Sequence, residues 1–222
     1  VADAQLLFGA LVPGMVRGYY EDGADPARVG VCRTGEWVHA KAEARKALAV
    51  VTEAARSAGA AVEDVDLPPI LQDALEALRI IVTVETARAM ATEFAAKQSR
   101  LNDWLRGIAV SARALTDARY REALDVAAEC REALAPLFAK FDGFITPAAA
   151  GEAIARLDGL DDPWFCPLWT LMHGPALTFP AALGPSGLPV GIQLVGPPGA
   201  DCRILALGEW LQATLVAHSV RG

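Results

Sequence analysis

Two short runs in the second half of the chain constrain its fold more than anything else. Residues 143–146 (GFIT) and 190–195 (VGIQLV), read as strands, are apolar toward both faces. A strand with water on one side alternates apolar and polar residues, whereas one apolar on both sides requires a packed layer above and below. These runs predict interior strands of a sheet covered by other elements. Residues 28–32 (RVGVC) form a further short apolar run. Residues 38–57 follow with helical periodicity, placing Val38, Ala42, Leu48, Val51 and Ala55 inside and Lys41, Glu43, Lys46 and Glu53 outside. Gly59 stands where a helix stop is expected. Residues 61–67 (AVEDVDL) alternate apolar and acidic side chains, as a strand with one wet face does. Strand, helix and strand within about 40 residues is the spacing of a βαβ unit.

The remaining elements follow from the same rules. Residues 1–12 are helical in pattern, with Val1, Leu6, Leu7, Ala10 and Leu11 on one side, and Pro13-Gly14 ends them. Residues 20–26 (YEDGADP) are a polar, turn-rich connection. Residues 71–97 and 99–113 read as helices. Thr116 is placed to cap a long helix running to about Lys140, with Tyr120, Leu124, Ala127, Leu134, Leu137 and Phe138 inward. Residues 143–146 end at Pro147, and 148–163 are loop. A helical turn is expected at 167–172. Strands at 177–181 and 190–195 are joined by the turn GPSG, and a last helix begins at Asp201. The order α, βαβ, helices, β, β, β, α is that of an α/β protein whose helices cover a sheet, here in one domain over residues 1–222. The elements on hand do not supply both layers and shield both sheet edges. The opening VADAQLLFGAL lacks an initiator Met and reads as a helix joined partway.

Composition narrows the function. The net charge of −7 and pI near 5.0 argue against a nucleic-acid partner. The chain is 53% hydrophobic, but much of that is Ala, and no run reaches the ~18 residues a bilayer span needs. Cys32, Cys130, Cys166 and Cys202 are widely spaced without a CxxC pair, as in free thiols of a reducing cytoplasm.

Few residues offer chemistry by pattern. There is no GxSxG, P-loop or GxGxxG. Of five serines, Ser57, Ser99 and Ser111 fall on helices or their ends, Ser219 is near the terminus, and Ser186 lies in a turn. The histidines, His39, His173 and His218, have no HExxH spacing. His39 reads as a surface helix residue. His173, before Gly174-Pro175, reads either as a structural histidine bonded to a carbonyl or as a polar group on a pocket wall. The lysines at 41, 46, 97 and 140 lie on helical surfaces, lacking the apolar surroundings that would make a base of one. Asp161-Asp162 and the acidic run Glu63, Asp64, Asp66 lack a third ligand at useful spacing, so no metal site is expected.

Three segments carry a family resemblance. The opening VADAQLLFGAL, the stretch LTDARYREALDVAAECREALAPLFAKFDGFITP at 115–147, and residues 169–209 occur in the order seen in the amidase signature family, with residues 28–67 matching between them. GLPVGIQLVGPPGAD is the most specific stretch. The resemblance implies a mixed β-sheet covered by helices. It also implies hydrolysis of a carboxamide to a carboxylate and ammonia or amine by a Ser–cis-Ser–Lys triad, without metal or cofactor. The Gly/Ser-rich segment bearing that triad is not matched in these residues, so no catalytic residue is assigned here. The chain is expected to be the C-terminal part of an amidase-signature domain, incomplete at its N-terminal side and inactive alone. Its expected partners are a small-molecule amide and either the N-terminal segment or a second copy of the chain. By resemblance, the substrate-pocket wall comes from Pro147, Trp169, Thr170, Met172 and His173, with the helices of 71–113 setting substrate size. A catalytically inactive truncated scaffold or binding subunit is the alternative. A distinct α/β enzyme using Ser186 or His173 is a third reading.

Overall fold

The computed structural model describes residues 1–12, 26–96, 100–154 and 163–221. The turn signals at 13–14 and most of those at 20–26 lie outside the described residues, as do Asp161-Asp162 and Lys97. The chain forms two compact units, one of residues Val1–Leu67 with Leu134–Gly222 and the other of Pro68–Ala133.

The first unit is built on a five-stranded mixed sheet. Its strands are β1 (Arg28–Cys32), β2 (Ala61–Val65), β3 (Gly143–Pro147), β4 (Ala176–Leu183) and β5 (Pro189–Val195), in the order β2-β1-β3-β5-β4. β1 runs parallel to both β2 and β3, and β5 is antiparallel to both β3 and β4. The expected βαβ unit is β1, α2 (Ala42–Ser57) and β2. β3 is buried at every position, as its doubly apolar sequence requires.

One face of the sheet carries Val29, Val31, Ile145, Ile192 and Leu194. They pack with Ala47, Leu48 and Val51 of α2 and with Ile204, Leu207 and Leu211 of α8 (Asp201–Arg221). The other face centres on Phe144, which stacks on Phe138 at 4.4 Å and meets Phe141 edge-on at 5.7 Å. Gly30 makes this possible: a Cβ there would fall 2.6 Å from both Phe144 Cδ1 and Val65 Cγ2.

β4, at the sheet's edge, accommodates Pro180 beside a register shift between Pro180 and Ala182. The β4–β5 hairpin turns through GPSG: Gly187 N donates to Gly184 O at 3.0 Å, and Gly187 has φ +80°. Glu152 lies over this turn, its carboxylate accepting from Ser186 N at 3.0 Å and from Leu188 N at 3.4 Å. Hydrogen bonding from Ser186, first of all, holds its carboxyl below the usual range.

Several expectations are corrected. The helix expected over 38–57 begins at Ala42. Residues 35–39 form a separate 3-10 turn whose Glu36 N is capped by Thr34 Oγ1, and Lys41 is extended with its N–H donated to Ala150 O at 2.7 Å. Val38 is consequently 76% exposed rather than inside, and Ala42 is exposed too. α1 (Ala2–Leu11) forms as expected, but Val1, Ala4, Gln5 and Phe8 are its half-buried side, with Gln5 Nε2 donating to Glu209 Oε2 of α8 at 2.9 Å, and Leu6, Leu7 and Leu11 are exposed. On the long helix α6 (Asp117–Phe138), Leu124 is exposed and Ala123, Ala127, Cys130, Leu134 and Phe138 are buried. Ala127, Leu134 and Phe138 are inward as expected, Tyr120 and Leu137 are half-buried, and Ala123 and Cys130 take the inward place expected of Leu124.

The second unit is helical: a 3-10 turn at Pro69–Gln72, α3 (Ala74–Ala89), α4 (Ala91–Ala96), α5 (Asp103–Ala112) and the first turns of α6. The helix expected over 71–97 is thus divided, with breaks before Ala74 and at Met90. Thr116 Oγ1 accepts from Arg119 N at 3.2 Å, the expected cap. Arg88 lies 4.6 Å over the Tyr120 ring, and Tyr120 Oη donates to Glu85 at 2.9 Å. Among the described residues no helix is long and apolar enough to cross a membrane.

Candidate functional site

β1 has a parallel neighbour on each side, and the chain leaves it toward β2 on one flank while β3 lies on the other. In open α/β sheets the crevice outside the carboxyl ends of strands at such a switch is where ligands bind. That position here is the exit of β1 at Cys32 and of β3 at Pro147.

Pro147 is the last residue of β3 and is buried. The chain beyond it is tied down on both sides, by Ala148 N to Gly191 O at 3.3 Å and by Lys41 N to Ala150 O. Gln193 of β5 reaches the same place from the next strand. Its side-chain amide donates to Pro147 O at 3.0 Å and to Phe165 O at 2.8 Å, and both bonds are buried. One side chain thereby joins the exit of β3 to the segment leading into α7 (Pro167–Leu171).

α7 carries four of the expected wall residues on or beside it. Trp169 is buried, with its ring 6.3 Å from that of Phe144. Met172 is buried too. Thr170 is exposed, and its hydroxyl donates to Cys166 O at 3.1 Å. His173 is exposed at φ 58°, the one non-glycine residue with positive φ among the described residues. Gly174 follows so close to the backbone of Gly196 that a Cβ would collide with its carbonyl oxygen. The structure therefore gathers Pro147, Trp169 and Met172 into the packed side of this region and leaves Thr170 and His173 on the outside.

Two residues that periodicity and motif left aside lie in this region. Gln193 had one local signal, a polar residue in an otherwise apolar strand. His39 had none: its imidazole stacks on Trp164 at 3.7 Å and 6°, with Nε2 3.4 Å from Glu36 Oε2. Arg33 and Arg45 flank the neighbouring Trp37 at 5.5 and 5.1 Å.

Cys32, Cys130 and Cys166 are not activated nucleophiles. Burial pushes Cys32 up to about 12 against the opposing pull of Arg33, and burial raises Cys130 and Cys166 as well. Ser186 keeps its place as a turn residue bound to Glu152. Among the described residues no group of three or more His, Cys, Asp or Glu is placed to hold a metal ion.

Comparison with known proteins places this arrangement. A solved amidase superposes with a TM-score of 0.80 at 24% identity, covering 96% of this chain and 50% of that one. The Kluyveromyces lactis allophanate hydrolase superposes with a TM-score of 0.75 at 17% identity, covering 90% of this chain and 33% of that one. Both likenesses are of fold. In sequence, the chain is 32% identical over 112 residues to a glutamyl-tRNA(Gln) amidotransferase subunit from Rhodopirellula baltica, 47% of this chain but 22% of that relative. The chain thus spans about half the length of the solved amidase, and its match to the curated relative takes in about a fifth of that protein. The sequence profile of the Amidase family matches residues 17–205. The fold, the element order and that match agree, and the chain belongs to the Amidase family.

Proposed function

We propose that this chain supplies the scaffold and the substrate-pocket wall of a carboxamide hydrolase, which converts a non-peptide amide and water to a carboxylate and ammonia or an amine. The observation that carries the reading is the family match over residues 17–205. In it, Pro147, Trp169, Thr170, Met172 and His173 form the wall, with Gln193 holding Pro147 and the entry to α7 together. The nucleophilic serine, its bridging serine and the lysine base are contributed by polypeptide outside these residues. A reducing compartment such as the cytoplasm suits four cysteines that form no disulfide.

The test is ammonia release from simple amides. The 222-residue chain alone is expected to show none, and the same chain joined to an amidase-type catalytic segment is expected to turn over. Turnover by the 222 residues alone would overturn the assignment of the catalytic groups to another segment.

The exposed Leu6, Leu7 and Leu11 of α1 favour a second reading, an inactive scaffold or binding subunit that uses this side of α1 to pair with a partner or with a second copy of the chain. Self-association abolished by Leu7→Glu, with no ammonia release from the joined protein, is the outcome that selects it.

A further inference from the structure

The imidazole of His39 lies flat on the indole of Trp164, with ring centroids 3.7 Å apart and planes 6° from parallel. The contact joins two parts of the first unit that are far apart in sequence. His39 ends the 3-10 turn Gly35–His39 after β1, and Trp164 stands in the segment leading into α7. The turn is anchored from behind. Arg45 of α2 donates to Ala40 O at 2.8 Å and to Trp37 O at 3.4 Å, and Thr34 caps its start. Trp164 is half-buried and packs against the core. The stack therefore holds the approach to α7 against a fixed turn.

Its geometry favours one protonation form of His39. Two neutral aromatic rings avoid the cofacial sandwich and settle offset or edge-on, with centroids about 4.5–7 Å apart. A cation over the face of an indole is instead attracted by the ring quadrupole, and Trp is the best of the aromatic partners. A cofacial imidazole at 3.7 Å suits an imidazolium better than a neutral ring. Glu36 favours the same form: its Oε2 lies 3.4 Å from His39 Nε2, which bears a proton in the imidazolium. The other charged groups of the neighbourhood are engaged elsewhere. Arg33 pairs with Asp64 and lies over Trp37, where Arg45 also lies. At the start of α2, Lys41 and Glu43 crowd Gly151, and Lys41 acts on Glu152. On the Trp164 side, burial raises the Cys166 thiol, which donates to Ala148 O.

We infer that the His39–Trp164 stack is a proton-operated clasp: protonated His39 pins the segment Pro163–Cys166 to the turn Gly35–His39, and neutral His39 lets it loosen. Histidine is the side chain whose ordinary charge change lies between about pH 5 and 8. The clasp is firm on the acid side of that range, and its contribution is lost as pH rises through it. It governs the hold on the entry to α7, the helix that carries Trp169 and Thr170. The device goes beyond the amide-hydrolase reading, since no step of hydrolysis enters it.

The experiment measures hydrogen exchange of two backbone amides, Cys166, bonded to Pro163 O at 3.3 Å, and Thr170, bonded to Cys166 O at 3.1 Å. Protection is expressed relative to the free peptide, so that the pH dependence of exchange itself cancels, and is compared at about pH 5.5 and about pH 8. In the parent chain it is expected to be about five-fold greater at the lower pH, the worth of one cation–π contact. The sheet amides of Ile145 and Leu194 serve as reference and should hold steady. His39→Phe keeps a ring on Trp164 without a proton to lose, so its protection should be the same at both pH values. His39→Gln gives the same comparison should the larger ring not pack. Equal protection at both pH values in the parent chain, greater protection at the higher pH, a change shared equally by Ile145 and Leu194, or a pH dependence that survives in both His39 variants each overturns the inference. The readout is protection and not turnover, so its failure is separate from failure of the ammonia-release test.

Discussion

The side-chain amide of Gln193 donates to the backbone carbonyl of Phe165 at 2.8 Å, across 28 residues of sequence, and to that of Pro147 at 3.0 Å. Both carbonyls are buried and depend on this one donor group to join the β3 exit to the approach to α7. Gln193→Leu should orphan both, lowering unfolding free energy by roughly 2 kcal/mol or more. Urea unfolding checks this, the expected sign being a lower midpoint at unchanged m. An unaltered midpoint would show that the bonds contribute nothing net.

Three glycines should respond differently to the same methyl group. At Gly174 the obstacle is the carbonyl oxygen of Gly196, which is backbone and cannot step aside cheaply. Gly174→Ala should therefore be the most damaging. Gly30→Ala meets the Phe144 ring and a Val65 methyl, a core overpacking of about 1–3 kcal/mol. Gly107, inside α5, has nothing within 4 Å of the added carbon. Gly107→Ala should stabilise by about 0.5–1 kcal/mol through helix propensity alone. Thermal melts of the three variants give the ranking directly.

Glu152 predicts a specific pH dependence. Its carboxyl is held below the ordinary value of 4.5 first by a hydrogen bond from the Ser186 side chain, then by the Ser186 and Leu188 N–H groups on the hairpin turn, with Lys41 adding to the effect. A group whose folded pKa is lowered contributes stability that is present above its unfolded pKa and is lost as pH falls through the folded one. The stability difference between the parent chain and Glu152→Gln should therefore be greatest above pH 4.5 and shrink as the solution is acidified below it. A difference independent of pH across that window would mean that the carboxylate charge is not what holds the turn.

The thiols should separate by burial. Cys32, fully buried and pushed up to about 12, should react with a disulfide reagent only as fast as the chain unfolds. Cys166, which is exposed, should be labelled in the folded protein despite its raised pKa. Peptide mapping of the labelled protein with time distinguishes the two.

Much of the fold could be read locally. Each of the five strands appears where an apolar or alternating run stood, and the GPSG turn, the stop at Gly59 and the cap at Thr116 act as their residue types require. These features depend on period, turn chemistry and capping, which extend over a few residues. The errors fell where neighbours distant in sequence decide. Val38 belongs to the apolar periodicity of α2, but a backbone bond from Lys41 to Ala150 breaks the helix before it. Leu124 fits the apolar stripe of α6 that includes Ala127, but packing buries Ala123 in its place.

The candidate site was legible as segments and not as geometry. Pro147 and the Trp169–His173 stretch were marked by resemblance, but nothing local shows that Trp169 faces inward while Thr170 and His173 face out. The stack of His39 on Trp164 joins residues 125 positions apart. By itself the sequence determined the element types, their order and the Amidase family, because these are carried by short-range periodicity and by motif. Only the tertiary structure decided the strand order, the role of Gln193 and the stack of His39 on Trp164. Those depend on which distant surfaces meet, and hydrogen-bond satisfaction is settled only when they do.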